Sequence, residues 1–169
     1  STGGFNSGSV FVYDLASATP ETPIATLLNP LPDSDDQFGN SVAVFGNYVI
    51  VGAAGDDTLG FNTGIAWVYD LSSVTPSSPI ALLLSPNPDS NDQFGNSVAI
   101  SNHYAIVGAA SDDTGEFDAG SAYVFDLTST TPGTLIATLP NPAPASFDQF
   151  GFAVAISGNY VVATAVYDD

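Results

Sequence analysis

One nine-residue phrase occurs three times in this chain of 169 residues. It reads DQFGNSVAV at residues 36–44, DQFGNSVAI at 92–100 and DQFGFAVAI at 148–156, so that successive copies lie 56 residues apart. Self-similarity at a fixed period of this length is typical of propeller blades, solenoid coils and other repeat arrays. The spacing therefore predicts a fold built from several copies of one structural unit.

Each 56-residue unit contains four short stretches with strand character, separated by Gly, Pro, Asn, Asp and Ser, the residues of turns. In the middle of the chain these stretches are GNSVAVF from Gly39, YVIVGA from Tyr48, GIAWVYDL from Gly64 and PIALLL from Pro79. No window has the apolar periodicity of an amphipathic helix. We therefore expect an all-β fold with four antiparallel strands in each unit.

The third stretch is apolar on both faces, which is typical of a strand in a sheet that is covered on both sides. One face carries Ile65, Trp67 and Tyr69, and the other carries Ala66 and Val68. Four-stranded sheets packed face to face around an axis are the blades of a β-propeller. The aromatic residues of this stretch and its copies are accordingly predicted to lie in the core between blades, and they are Phe11, Tyr13, Trp67, Tyr69, Tyr123 and Phe125.

The blocks DQFGNSVAV, NYVIVGAAGDD and GIAWVYDL resemble the FG-GAP repeat, which is named for its Phe-Gly and Gly-Ala elements. That repeat builds the seven-bladed propeller of integrin α-chains and of many bacterial extracellular proteins. The resemblance covers essentially the whole chain and implies a β-propeller with an extracellular or cell-surface location. The last copy departs from the pattern, because Gly52 and Gly108 become Thr164. We expect a structural role for the repeated residues Asp36, Phe38, Gly39, Asp92, Phe94, Gly95, Asp148, Phe150 and Gly151.

Integrin-type blades often hold calcium in an Asp-rich loop between the first and second strands. In this chain the same connection is only FGN, SNH or SGN, at residues 45–47, 101–103 and 157–159. The resemblance therefore does not carry that calcium site over to this chain.

The repeat pattern divides the chain into two complete blades and two halves. Residues 1–31 match strands 3 and 4 of a unit, 32–87 and 88–143 are complete blades, and 144–169 supply only strands 1 and 2. Closure within one chain would give three blades, fewer than the four to eight usual in propellers. Two interpretations stay open: copies complete each other head to tail in a ring or filament, or further repeats of a longer chain complete the halves.

The chain has no Lys or Arg and 18 Asp plus Glu, a formal net charge of -18. Nucleic acids and anionic membrane surfaces are bound through basic side chains, so both are excluded as partners. The longest apolar runs, such as YVIVGAA at residues 48–54, are far shorter than the roughly 20 residues of a membrane-spanning helix. We therefore expect no membrane insertion.

Most carboxylates fall in the connections from strand 2 to strand 3 and from strand 4 to the next strand 1, which share one rim of a blade. These 14 of the 18 acidic residues are Asp33, Asp35, Asp36, Asp56, Asp57, Asp89, Asp92, Asp112, Asp113, Glu116, Asp118, Asp148, Asp168 and Asp169. Calcium takes several oxygen ligands from flexible loops, so Asp56, Asp57, Asp112 and Asp113 are candidate metal ligands. The alternative is that Asp residues in these turns bind local backbone amides, and this is favoured for Asp36, Asp92 and Asp148.

An enzyme is not expected, and no catalytic residue is assigned. The chain has no Cys, no Lys and one His, and His103 occupies a tight turn where the other units have Asn47 and Asn159. The sequence instead favours an extracellular structural or adhesive module that assembles with copies of itself. The alternative is a calcium-assisted module of a longer chain that binds glycans or surface proteins.

Overall fold

The computed structural model describes residues 4–168, and every regular element within that range is a β-strand. Each strand coincides with an apolar stretch bounded by turn residues. In chain order the strands are β1 (Ser9–Tyr13), β2 (Pro23–Leu28), β3 (Ser41–Phe45), β4 (Tyr48–Ala53), β5 (Ile65–Asp70), β6 (Pro79–Leu83), β7 (Ser97–Ile100), β8 (Tyr104–Ala109), β9 (Ser121–Asp126), β10 (Thr134–Pro140), β11 (Val154–Ser157) and β12 (Tyr160–Ala163).

The strands form four antiparallel sheets whose order follows the chain. Two sheets have four strands, in the orders β3-β4-β5-β6 and β7-β8-β9-β10, and two have only the pairs β1-β2 and β11-β12. We call the four-stranded sheets blade 1 and blade 2, and the two pairs the N-terminal and C-terminal half-blades. The predicted fold, two complete blades flanked by complementary half-blades, is confirmed.

The repeat sets strand register as well as strand position. Val51 lies opposite Trp67 in blade 1, and Val107 lies opposite Tyr123 at the same place in blade 2. The ladder between the third and fourth strands also shifts at the same point in every unit that contains both strands. Equivalent sequences thus adopt equivalent local geometry, including its irregularities.

The hydrophobic core lies between successive sheets. Val51 and Tyr69 of blade 1 pack with Leu27 of the N-terminal half-blade, whereas Ile50 and Val68 belong to the cluster shared with blade 2. A third cluster joins blade 2 to the C-terminal half-blade. Because the faces of β4 and β5 are buried on both sides, the doubly apolar pattern of these strands is explained.

The repeated Asp-Gln-Phe-Gly segment joins each sheet to the one before it. The backbone N–H of Phe38 donates to the carbonyl of Ser7 at 3.2 Å, and the N–H of Phe94 donates to the carbonyl of Thr63 at 2.9 Å. The preceding glutamines, Gln37, Gln93 and Gln149, adopt positive φ angles of 57°, 56° and 55°. A non-glycine residue in this region is uncommon, so its repetition at three equivalent places indicates that the turn is required at each junction.

Phe11 and Tyr13 differ from the sequence-based expectation. Both were predicted to lie in the core between blades, yet both are half exposed, whereas Trp67 and Tyr123 are buried. The reason is that the N-terminal half-blade lacks the strands that would stand beside β1.

Candidate functional site

Two kinds of loop share the acidic rim, and backbone hydrogen bonds hold them together. The N–H of Asp35 donates to the carbonyl of Phe5 at 2.7 Å, and the N–H of Asn91 donates to the carbonyl of Phe61 at 2.8 Å. Loops from strand 2 to strand 3 therefore lie against the segment that leads into the next sheet, and the carboxylates of both loops are brought close. Asp169 lies outside the described residues.

In blade 1 the rim holds a pair of buried carboxylates, Asp36 and Asp56. Asp36 Oδ2 accepts the backbone N–H of Asp33 and the side-chain amide of Asn29, both at 2.6 Å. Burial raises the pKa of Asp36, and the nearby negative charge of Asp56 raises it further. Asp56 Oδ1 accepts the N–H of Thr58 at 2.8 Å, while Asp56 Oδ2 is buried and has no hydrogen-bond partner.

Blade 2 repeats this pair with Asp92 and Asp112. Asp92 Oδ2 accepts the N–H of Asp89 at 2.7 Å. Burial raises the pKa of Asp92 to about 6, and the charges of Asp112 and Asp89 add to the effect. The two pairs show that burial of like charges on this rim is a property of the repeat.

The two pairs differ in one partner that the sequence did not single out. In blade 2 the hydroxyl of Tyr123 donates to Asp112 Oδ2. Trp67 stands at the equivalent position of blade 1, and its Nε1 is buried without a hydrogen-bond partner in the described structure, as is Asp56 Oδ2. The 56-residue alignment of Trp67 with Tyr123 is the signal that could have pointed to this difference.

The exposed aspartates next to these pairs close turns of their own loops. Asp57 Oδ1 accepts the N–H of Asn62 at 2.6 Å, and Asp113 Oδ1 accepts the N–H of Asp118 at 2.8 Å. Burial raises the pKa of Asp118, with the charge of Asp113 as the second cause. The carboxylates of Asp57 and Asp113 therefore each already accept a backbone hydrogen bond within their own turn.

The candidate metal ligands do not form a complete cation site. Asp56 and Asp57 do line one cleft of about 390 Å³, together with Asp33 and Asp36. Within residues 4–168, however, no three carboxylate or imidazole groups are arranged to hold a metal ion. Because calcium takes six to eight oxygen ligands, these side chains alone do not fit it.

The C-terminal half-blade keeps only part of this arrangement. Asp148 Oδ2 accepts the N–H of Ala145 and the side-chain amide of Asn141, both at 2.7 Å. Asp168, at the position of Asp56 and Asp112, is exposed. The buried pair of carboxylates is thus absent from the described part of this half-blade.

Exposed phenylalanines stand beside the acidic groups at the repeat spacing. Phe5, Phe61 and Phe117 occupy equivalent loop positions and are all exposed. The ring of Phe117 packs edge to face on that of Phe147 at a centroid distance of 5.2 Å. The rim therefore presents apolar rings among carboxylates, a surface able to contact a ligand with both polar and apolar faces.

At the N-terminal end, several side chains are exposed although the side chains at the equivalent repeat positions are buried. Phe11 is 53% exposed, whereas Trp67 and Tyr123 at the same repeat position are 7% and 1% exposed. Val42 and Val44 of β3 are likewise exposed, although Val98 and Ile100 at the same positions are buried. A cleft of about 750 Å³ lies between β1 and β3 and is lined largely by these apolar residues. It occupies the place where strands 1 and 2 lie in a complete blade.

The C-terminal end shows the complementary gap. Val162 of β12 is 59% exposed, whereas Ile50 and Ile106 at the same repeat position are fully buried. Within residues 4–168, β12 pairs only with β11 and β1 pairs only with β2, so each half-blade has an unpaired edge where the missing pair would stand. An unpaired edge of this kind is a template for another strand.

Three residues clasp each complete blade to the following sheet. Ser41 Oγ donates to the carbonyl of Gly95 at 2.7 Å, and the amide of Asn40 donates to the same carbonyl at 3.3 Å. Gly52 completes the clasp, because a Cβ at that position would stand 2.1 Å from the same oxygen. Blade 2 repeats the arrangement against the carbonyl of Gly151 with Asn96, Ser97 and Gly108.

The C-terminal half-blade has lost all three clasp residues. Phe152, Ala153 and Thr164 stand at the positions of the asparagine, the serine and the glycine. The hydroxyl of Thr164 instead accepts the N–H of Ala153 at 3.2 Å within the half-blade. The sequence shows that the glycine is replaced. The structural consequence is seen only from the carbonyl of the next sheet that Gly52 and Gly108 contact.

The comparisons with known proteins identify the repeat. The family model described as FG-GAP repeat matches residues 25–69, 79–125 and 136–169. A search of curated proteins finds no match. Among solved structures, the chain is similar to the computationally designed Ika4 protein, with 16% sequence identity over 76% of this chain and 84% of that one and a TM-score of 0.30.

Residues 4–168 contain no helix with the length and apolar character needed to span a bilayer.

Proposed function

Because this chain belongs to the FG-GAP repeat family, whose repeats are typical of extracellular and surface proteins, we propose that it is an extracellular structural or adhesive β-propeller module. In this proposal the half-blades are completed head to tail by strands of other copies, so that the chains form a ring or a filament. The family is one of structural and binding modules rather than of enzymes.

One observation carries the proposal: the same repeat positions are buried inside the blade stack and exposed at its two ends. Phe11 and Val162 are the clearest examples, since their equivalents in blades 1 and 2 lie in the core. Burial of a large apolar side chain stabilises a structure by about 1.5–3 kcal/mol. Each end is therefore stabilised when the missing strands are supplied. The strands missing at one end are the strands present at the other.

Assembly can be measured by size-exclusion chromatography with light scattering over a wide range of protein concentration, followed by electron microscopy. We expect species larger than one chain that form rings or filaments. Val162→Asp should abolish them, because it places a charge on the face that joins the next copy. The matched control is Val74→Asp, since Val74 is fully exposed in the loop after β5 and is not among the residues that line the N-terminal cleft. A wild-type protein that stays monomeric at every concentration contradicts the proposal.

A second candidate function is calcium-assisted binding of glycans or surface proteins by a module of a longer chain. It is supported by the acidic cleft around Asp36 and Asp56, by the unpartnered Asp56 Oδ2 and by the neighbouring row of exposed phenylalanines. Backbone carbonyls or the ligand itself would have to supply the remaining oxygens of the calcium shell.

Calorimetric titration with calcium chloride and a glycan array with and without chelator test this second function. We expect calcium binding that Asp56→Asn removes and that Asp14→Asn, an exposed aspartate on the other rim, leaves unchanged. If no heat of calcium binding is measured at millimolar calcium, or if glycan binding is the same with and without chelator, the proposal of calcium-assisted binding is rejected.

A further inference from the structure

We infer that copies of this chain join through a defined β-ladder between β12 of one copy and β1 of the next, and that this joint lacks the clasp that locks the blades within a copy. The inference rests on the proposed head-to-tail assembly and adds to it the partner strand, the register and the reversibility of the joint.

The register follows from the two complete blades, which agree with each other. In blade 1, Val49 pairs with Tyr69 and Ile50 with Val68. In blade 2, Ala105 pairs with Phe125 and Ile106 with Val124.

Moving the second strand to the C-terminal half-blade and the third strand to the N-terminal half-blade keeps this pairing. Val161 of one copy then stands opposite Tyr13 of the next, and Val162 opposite Val12. Apart from the Tyr13 hydroxyl, the side chains brought together at these two positions are apolar. The same register places Asp14 opposite Tyr160, as Asp70 stands opposite Tyr48 in blade 1.

The occupant of the N-terminal cleft is a second copy, because the strands missing beside the cleft are the strands that the C-terminal half-blade contains. The cleft between β1 and β3 is lined largely by apolar residues, and it lies where a first and a second strand stand in a complete blade. The C-terminal half-blade is such a pair, and its exposed face carries Val162. Although each chain has a net charge of -18, neither β1 nor β12 contains a carboxylate, so the two edges that meet are free of the strongest repulsion.

The same comparison of equivalent repeat positions shows why the joint between copies differs from the junctions between sheets of one chain. Gly52 and Gly108 admit the carbonyl oxygen of the next sheet so closely that a Cβ would lie 2.1 Å from it. Thr164 carries that Cβ, and the carbonyl it would meet is that of Gly39 in the next copy. Contacts below 3.0 Å force a displacement, so the two sheets stand farther apart at the acidic rim.

Phe152 and Ala153 remove the rest of the clasp. Neither side chain can donate the hydrogen bonds that Asn40 and Ser41 donate across the junction of blades 1 and 2. The joint between copies therefore keeps the β12–β1 ladder and apolar burial but lacks these side-chain hydrogen bonds. It is the weakest junction of the stack and dissociates before the blades separate.

Engineered disulfides test the register, because the chain contains no cysteine of its own. Two variants carry the predicted pairs, Val162→Cys with Val12→Cys and Val161→Cys with Tyr13→Cys. Both are needed, since adjacent pairs of an antiparallel ladder alternate between Cα separations of about 5.5 and 4.5 Å, and a disulfide fits one geometry better. The matched control, Val162→Cys with Val10→Cys, is a diagonal pair displaced by two residues, whose members would lie about 7–8 Å apart.

On oxidation, we expect at least one in-register variant to give a ladder of covalent dimers, trimers and larger species on a non-reducing gel, with little from the control. Assembly without an in-register ladder, or with equal crosslinking of the control, overturns the register and leaves head-to-tail assembly standing. A fast-migrating crosslinked monomer means that β12 closes on β1 of the same chain and overturns the second copy as partner. Monomers without crosslinks under all conditions overturn this inference and the proposed function together.

Restoring the clasp tests the second half of the inference. The triple variant Phe152→Asn, Ala153→Ser and Thr164→Gly reproduces the residues of blades 1 and 2. We expect it to assemble at a concentration at least about tenfold lower than the wild type, from the regained hydrogen bonds alone. Unchanged or weaker assembly of the triple variant shows that the ends meet in another way and overturns the clasp-free joint.

Discussion

The interior blades and the terminal half-blades are built from nearly the same sequence, yet they differ in what they bury. Tyr69 and Phe125 are covered on both faces, and Tyr13 at the same repeat position is half exposed. The difference comes from neighbours rather than from the residues themselves, because each blade completes its core only against the next one. A terminal unit of such a stack therefore shows which contacts come from inside a repeat and which come from between repeats.

The largest expected contrast concerns the phenylalanine of the repeated phrase. Phe94 is fully buried and packs on Tyr123 and Phe125 at centroid distances of 5.4 and 6.1 Å, whereas Phe150 at the C-terminal end is only partly buried. Phe94→Ala should lower the free energy of unfolding by about 3–5 kcal/mol. Phe150→Ala should cost clearly less, because solvent already reaches that ring.

Urea unfolding followed by circular dichroism measures both variants, at a concentration where the wild type is monomeric. Equal losses for the two phenylalanines contradict the comparison, since they imply that the end unit is packed as tightly as the interior. If Phe94→Ala does not fold, Phe94→Leu gives the same ranking with a smaller change.

The second contrast exchanges the residues at the clasp position. Gly52→Thr introduces a Cβ that would stand 2.1 Å from the carbonyl of Gly95, and we expect a loss of about 3 kcal/mol, at the upper end for overpacked sites. Thr164→Gly should change the stability of the monomer by far less, because Thr164 is exposed and no further sheet of residues 4–168 follows the C-terminal half-blade. Thermal unfolding of the two single variants gives the comparison. Gly46→Asn is the control, since a Cβ there meets no atom within 4 Å and Asn adopts a φ of 58° more readily than most residues.

The third contrast is one of pH, and Asp92 carries it. Its pKa is raised from 3.8 to about 6, so the folded chain binds a proton at Asp92 more strongly than the unfolded chain does. The sign follows: this group favours folding below pH 3.8 and progressively loses that contribution as the pH rises through 6. The free energy of unfolding should therefore fall by about 2 kcal/mol between pH 4 and pH 7.

Asp92→Asn should flatten this dependence and stabilise the chain at pH 7. Denaturant unfolding of both proteins across that range gives the slope. Asp14→Asn, at an exposed site on the other rim, should keep the slope of the wild type. A wild-type stability that rises from pH 4 to pH 7 contradicts the role given to the buried carboxylates.

Much of this architecture is predictable from the sequence, because strands, turns and period are local features. The half-blades follow from counting strands along the 56-residue period. The candidate site is less accessible. The contact of Tyr123 with Asp112, and the unpartnered Trp67 at the equivalent place, depend on how a loop folds over a neighbouring strand. Likewise the exposure of Phe11 follows from a missing neighbour, which no property of β1 alone could reveal.

The smallest contrast isolates a single hydrogen bond of the clasp. Ser41→Ala removes the donor to the carbonyl of Gly95 at 2.7 Å and should lower the free energy of unfolding by about 1 kcal/mol. Ala153→Ser creates the same donor at a sheet that no other sheet follows within residues 4–168, so the monomer should gain nothing, and only the assembled protein should be strengthened. Measuring both variants below and above the assembly concentration separates the two contributions. A gain from Ala153→Ser in the isolated monomer shows that the serine acts within its own sheet, and the distinction between contacts inside a repeat and contacts between repeats then fails at this position.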